Sequence, residues 1–147
     1  MTYTLTQLAA EINTDPKALG LAALKAQANA AGDEAIAAKL NATYAGVGVV
    51  YRTDVTPSEL LACIVWSEVS AFTATQWSAC TAMLSAGNVD ASKVTIRNFF
   101  AGLFTAATTT KASMDTVARI VNPTRAEELW GHSMGVSAYD VQKAMGR

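Results

Sequence analysis

Histidine, cysteine and paired carboxylates are the raw material of catalytic and metal sites, and this sequence holds few of them. His132 is its single histidine, set in Gly131-His132-Ser133. The two cysteines, Cys63 and Cys80, have no metal-ligand spacing, and with one imidazole they fall short of a metal's ligand set. A thiol and an imidazole together make a nucleophile and its base. Nothing in the sequence draws His132 towards Cys80, so His132 reads as a surface or interface residue and the cysteines as buried, reduced thiols. Glu127-Glu128 is an adjacent carboxylate pair, but neighbours on a helix point about 100° apart and do not converge. Gly46-Val47-Gly48 lacks the third glycine of a dinucleotide fingerprint and the Gly-Lys-Ser/Thr of a phosphate loop. The expectation is therefore no catalytic residue, no cofactor and no metal: not an enzyme.

Composition narrows the class further. The chain has 147 residues, 51% hydrophobic and 16% charged, which excludes intrinsic disorder. Lys and Arg number 11 against 12 Asp and Glu, a net charge of -1. A general nucleic-acid binder carries a basic excess instead. The N-terminal half, 1–73, is mildly acidic and 74–147 mildly basic. Lys93, Arg97, Lys111, Arg119 and Arg125 read as solvated helix faces rather than a recognition stripe. The longest central apolar run, Leu60 to Trp66, is seven residues, against about 20 for a membrane span. Met1 to Gln7 lacks the basic start and apolar stretch of a secretory signal, so a cytoplasmic origin is expected.

The elements that would position any site are helical. Alanine is the most frequent residue, at 29 of 147, with only 3 prolines, and it is the best helix former. Capping boxes mark the starts. Thr4…Gln7 opens a first helix, stopped at Asp15-Pro16. Leu19 to about Ala31 is expected to be a second, broken by Gly32, with Asp33 capping a short helix through Ile36 and Leu40. Thr56-Pro57-Ser58-Glu59 starts a helix, apolar nearly all round, that runs on through Glu68 and should be central. Thr73…Gln76 begins the next, closed near Gly87. Ser92 to about Thr105 brings Phe99, Phe100 and Phe104 to the core. Thr108-Thr109-Thr110 is expected to be a polar break before a helix from Lys111 to Val121. Thr124…Glu127 caps a short helix to Trp130, so Glu127 reads as a capping carboxylate. Ser137…Asp140 opens the last. The expected fold is all-α: one compact domain, 1–147, of seven to eight short helices.

Two stretches stand apart. Residues 43–55 contain the extended-chain formers Tyr44, Val47, Val49, Val50 and Tyr51. This stretch reads as an extended arm or short edge strand without an evident partner, or as a loop over the helices. The C-terminal stretch, 131–147, with Trp130 before it, carries apolar residues where small domains are usually polar: Trp130, Met134, Tyr139 and Met145. Such groups are enriched in interface cores, and they equally suit a tail docked on its own core. A mean hydropathy of +0.21 fits either a covered oligomer surface or abundant alanine.

A dispersed pattern carries a resemblance. It comprises Asp15-Pro16 with Leu19-Gly20, Asp33-Glu34-Ala35-Ile36-Ala37-Ala38-Lys39-Leu40-Asn41-Ala42, and the valine-rich stretch. Ser58-Glu59-Leu60-Leu61, Ile64-Val65 and Thr73-Ala74-Thr75-Gln76-Trp77 follow, then Met83-Leu84-Ser85-Ala86-Gly87-Asn88-Val89. It closes with Thr124-Arg125-Ala126-Glu127-Glu128-Leu129-Trp130-Gly131 and Val136-Ser137-Ala138-Tyr139-Asp140-Val141. In this pattern the chain resembles a family of small virion structural proteins of long-tailed bacteriophages. It departs over 21–31, where such proteins run from the Leu-Gly turn straight into the next helix. The resemblance implies a virion location and a head–tail connector, or neck adaptor, forming a homo-oligomeric ring, usually a dodecamer, between portal and tail. DNA would pass through without specific recognition. The alternatives are a capsid-surface or tail completion protein, or a helical DNA-packaging or regulatory protein. On this reading 43–55 and the C-terminal stretch are the contacts to neighbouring subunits, portal and tail.

Overall fold

A computed structural model describes residues 3–44 and 48–147. In chain order the first helices are α1 (Leu5–Thr14), α2 (Leu21–Lys25) and α3 (Ala30–Leu40), followed by strand β1 (Val50–Tyr51). Then come α4 (Pro57–Ala62), α5 (Trp66–Val69), α6 (Ala74–Ser85), α7 (Val94–Leu103) and α8 (Thr108–Val117). Strand β2 (Arg119–Ile120), α9 (Arg125–Trp130) and α10 (Ala138–Ala144) complete the chain. The fold is all-α apart from one two-stranded antiparallel ribbon, in which Val50 faces Ile120 and Tyr51 faces Arg119. The valine-rich stretch thus has a strand partner, which the sequence did not reveal.

The described helices number ten rather than seven or eight, and they fall into two compact units. Unit 1 comprises residues 1–47 and 122–147, and unit 2 comprises 48–121.

Unit 1 is built from α1, α2, α3, α9 and α10. Its core holds Leu8, Ile12, Leu21, Ile36, Leu40, Ala126, Trp130, Val136 and Val141. Asp15 ends α1 in the left-handed region at φ 40°. Its carboxylate then accepts from the amides of Leu19, Gly20 and Leu21 at 2.8–2.9 Å, turning the chain into α2. The expected second helix is shorter than its sequence suggests, and α3 starts earlier, capped by Asn29, whose Oδ1 accepts from Gly32 at 2.8 Å. Gly32 is therefore inside a helix rather than breaking one. A Cβ there would lie 2.8 Å from the Leu24 carbonyl, so glycine is needed for close approach and not for a turn. Asp33, expected as a cap, is buried in the first turn of α3 and pairs with Arg147 at 2.7 Å.

Unit 2 is built from β1, β2 and α4–α8 around Val55, Leu60, Ile64, Val69, Cys80, Val89, Phe104 and Met114. The central helix expected from Pro57 to Glu68 is two pieces. α4 ends at Ala62 with Cys63 as its C-cap, and the Val65 amide donates to Thr110 Oγ1 at 2.9 Å instead of continuing the helix. The break lets Leu60, Cys63, Ile64 and Val69 all face the core. The expected polar break at Thr108-Thr109-Thr110 is instead the first turn of α8. There the Glu68 carboxylate accepts from the Thr109 and Thr110 amides at 3.0 and 2.8 Å, satisfying donors that a helix start leaves open. α7 has no buried residue of its own. Phe104, just after it, is buried, whereas Phe100 is half-buried and Phe99 exposed.

Candidate functional site

Burial holds the two thiols away from their reactive form. Cys63 Sγ lies 3.2 Å from the Glu59 carbonyl, and burial pushes both Cys63 and Cys80 thiols above their ordinary pKa, away from the thiolate. His132 is half-buried with Ser133 Oγ 3.4 Å from its ring nitrogens. No group of three His, Cys, Asp or Glu side chains among the described residues is placed to hold a metal. Glu127 caps α9 through the Thr124 amide at 3.0 Å.

Charge instead gathers in two structural networks. In unit 1, buried Arg125 donates to both Glu11 oxygens at 2.7 and 3.0 Å and to Glu128 at 2.5 Å. Tyr44 donates to the same Glu128, and Lys17 lies 3.6 Å from it. Burial opposes the Arg125 charge, but its bonds to Glu11 and Glu128 outweigh that and raise its pKa. Tyr44, together with a bridge between Thr43 and Thr124, thereby ties the start of the extended stretch to α9. In unit 2, buried Arg52 donates to Glu59 at 2.7 and 3.2 Å, to Asp54 at 3.1 Å and to the Val117 carbonyl at 3.3 Å. The Arg52 bond and the Thr56 amide hold the Glu59 carboxyl down at about 2.

Of the basic residues expected on solvated faces, Lys93 and Lys111 are exposed, whereas the arginines are engaged within the fold. Arg125 is buried, Arg119 pairs with Asp115, and Arg97 Nη1 donates to the Ala91 and Ser92 carbonyls at 2.6 and 2.7 Å. Lys93 sits 3.5 Å from Asp90.

The interface candidates separate by exposure. Val47 lies outside the described residues. Trp130 is 6% exposed and packs its ring 4.7 Å from that of Tyr3. It belongs to the core of unit 1 and offers no contact surface. Met134 and Met145 are partly buried against that core, and Tyr44 is half-buried in the Glu128 network. The C-terminal stretch is therefore docked on its own unit. Tyr139 is the exception, 64% exposed, with Lys143 Nζ 5.3 Å from its ring centroid. In unit 2, Val49 is exposed while Val50 and Tyr51 are half-buried in β1. Sequence reasoning missed the larger exposed side chains there: Trp66 at 64%, Val121 at 68% and Val94 at 56%.

Trp66 ends an aromatic series. Its ring stacks on Trp77 at 6.1 Å, Trp77 meets Phe72 at 5.6 Å, and Phe72 meets buried Phe104 at 5.3 Å. Phe104 stacks on Phe100 at 6.2 Å, which meets exposed Phe99 edge-on at 5.6 Å. The series runs through the core of unit 2 and reaches its surface at both ends. Such ring pairs contribute about 0.5–1.5 kcal/mol each beyond burial, so Trp66 is held in place while still facing water. The apolar run Leu60 to Trp66 hid this, because a continuous run reads as wholly buried. No family model, curated protein or solved structure matches the chain. No helix among the described residues is long and apolar enough to cross a membrane.

Proposed function

We propose that this chain is a phage virion structural protein, a head–tail connector subunit that forms a ring between portal and tail. The observation that carries the reading is the apolar surface of unit 2. Trp66, anchored by stacking and left 64% exposed, is a side chain suited to burial against another subunit, and Val121 and Val94 of the same unit are also mostly exposed. A closed ring needs two different patches that meet head to tail, and Tyr139 of unit 1 supplies an exposed aromatic candidate apart from unit 2. The resemblance in the dispersed sequence pattern supports the virion setting. A near-neutral chain, at net charge -1, suits a channel that lets DNA slide through without gripping it.

Sedimentation of the purified protein, alone and with portal, tests the reading. The expected result is a ring of about a dozen copies, lost in Trp66→Lys with the helical spectrum retained. A monomer in both conditions, together with absence from purified virions, overturns it. Copy number per particle separates the second reading, a capsid-surface protein, which requires hundreds of copies.

A further inference from the structure

We propose that unit 2 carries a binding site for a small carboxylate with an aromatic or branched apolar body. The site is a cavity of about 190 Å³. Its walls include Val55, Leu60, Val89, Phe100, Phe104 and Met114. A dry apolar cavity of about 150 Å³ accepts a benzene ring, and apolar walls give water no partners. The space therefore suits a ring or an isobutyl-sized group better than ordered solvent.

The rim fixes the other half of the ligand. Arg97 and Lys111 both line the cavity. Arg97 is braced: its guanidinium carbon stands 4.0 Å from the Tyr51 ring centroid, and its Nη1 is anchored on the Ala91 and Ser92 carbonyls. That anchoring involves carbonyls and a ring, so the positive charge is left uncompensated by any carboxylate among the described residues. Lys111 is exposed in the first turns of α8 and likewise has no ion pair there. The one carboxylate in the lining, Asp115, is occupied by Arg119. Two cations beside an apolar hollow match an anion joined to an apolar group, and a charge-assisted bond to a carboxylate is about twice as strong as a neutral one. A free aryl acid and a phenylalanine at the end of a polypeptide share this chemistry. The inference does not rest on the ring reading.

Amide chemical shifts of the full chain, titrated with 3-phenylpropionate and with its neutral isostere 3-phenylpropanol, test it. The expected result is shifts centred on Val89, Ile96 and Met114, with the acid bound about tenfold tighter than the alcohol at low salt. Lys111→Gln, an exposed change that leaves the fold intact, should weaken the acid several-fold and leave the alcohol unchanged, and Arg97→Gln should do so more strongly. An acetylated Gly-Gly-Phe peptide, free or amidated at its end, distinguishes the source: tighter binding of the free-ended peptide than of the acid assigns the site to a chain terminus. Equal affinity for acid and alcohol, no shifts at about 10 mM ligand (far weaker than a specific site), or an unchanged acid affinity in Lys111→Gln overturns the proposal.

Discussion

At the residue scale, the two buried arginines decide most. Arg125 and Glu11 are each less than a tenth exposed and share two hydrogen bonds. Removing one partner strands the other's charge in a poorly solvated place, which costs about 3–5 kcal/mol. Arg125→Met should therefore lower the urea-unfolding free energy by that amount. The double variant with Glu11→Met should recover much of the loss, because an apolar pair of similar volume strands no charge at Glu11, and Glu128 keeps Lys17 and Tyr44 as partners. Arg52 has the same office in unit 2, with a consequence for pH. Glu59 titrates at about 2 in the folded chain against an ordinary 4.5. Its folded value is depressed, so its stabilisation is complete above about pH 4.5 and is lost as pH falls towards 2. Denaturant midpoints should hold steady down to about pH 5 and then fall, with a shallower fall in Glu59→Gln. A midpoint that Glu59→Gln leaves equally steep in acid would assign the loss to other carboxylates.

At the scale of elements, local signals and distant ones part company. Thr4, Thr56, Thr73, Thr124 and Ser137 all form capping boxes, and each was legible because both halves of the box lie three residues apart. Thr56→Ala should cost about 1 kcal/mol in thermal or urea unfolding. The start of α8 was not legible, because its capping carboxylate, Glu68, comes from 41 residues away. The break between α4 and α5 was hidden for the same reason, since Thr110, 45 residues on, takes the Val65 amide. Glu68→Ala should speed hydrogen exchange at the Thr109 and Thr110 amides while α6 amides keep their protection. Equal protection in the variant would show that α8 starts unaided. The candidate surface followed the same rule. Val49 and Tyr139 could be named from the extended stretch and the apolar C-terminal stretch, but the same signals also named half-buried Val50 and buried Trp130. Burial of Trp130 depends on Tyr3, at the other end of the sequence, and exposure of Trp66 depends on how far the Leu60–Trp66 run folds inward.

At the scale of the whole molecule, the interior of unit 2 depends on Phe104, 1% exposed and in ring contact with both Phe72 and Phe100. Phe104→Ala should destabilise it by about 3–5 kcal/mol, read as loss of near-ultraviolet ellipticity at lower urea. The pairing of β1 with β2 has a different kind of consequence. It places Val50 opposite Ile120, close to where the chain enters and leaves unit 2. Within unit 1 the bridge between Thr43 and Thr124 likewise brings two distant stretches of chain together. Antiparallel partners of this kind stand about 5 Å apart. The two ends of unit 2 are thus held by its own ribbon no further apart than a single pair of residues, so a linker of a few residues could join them.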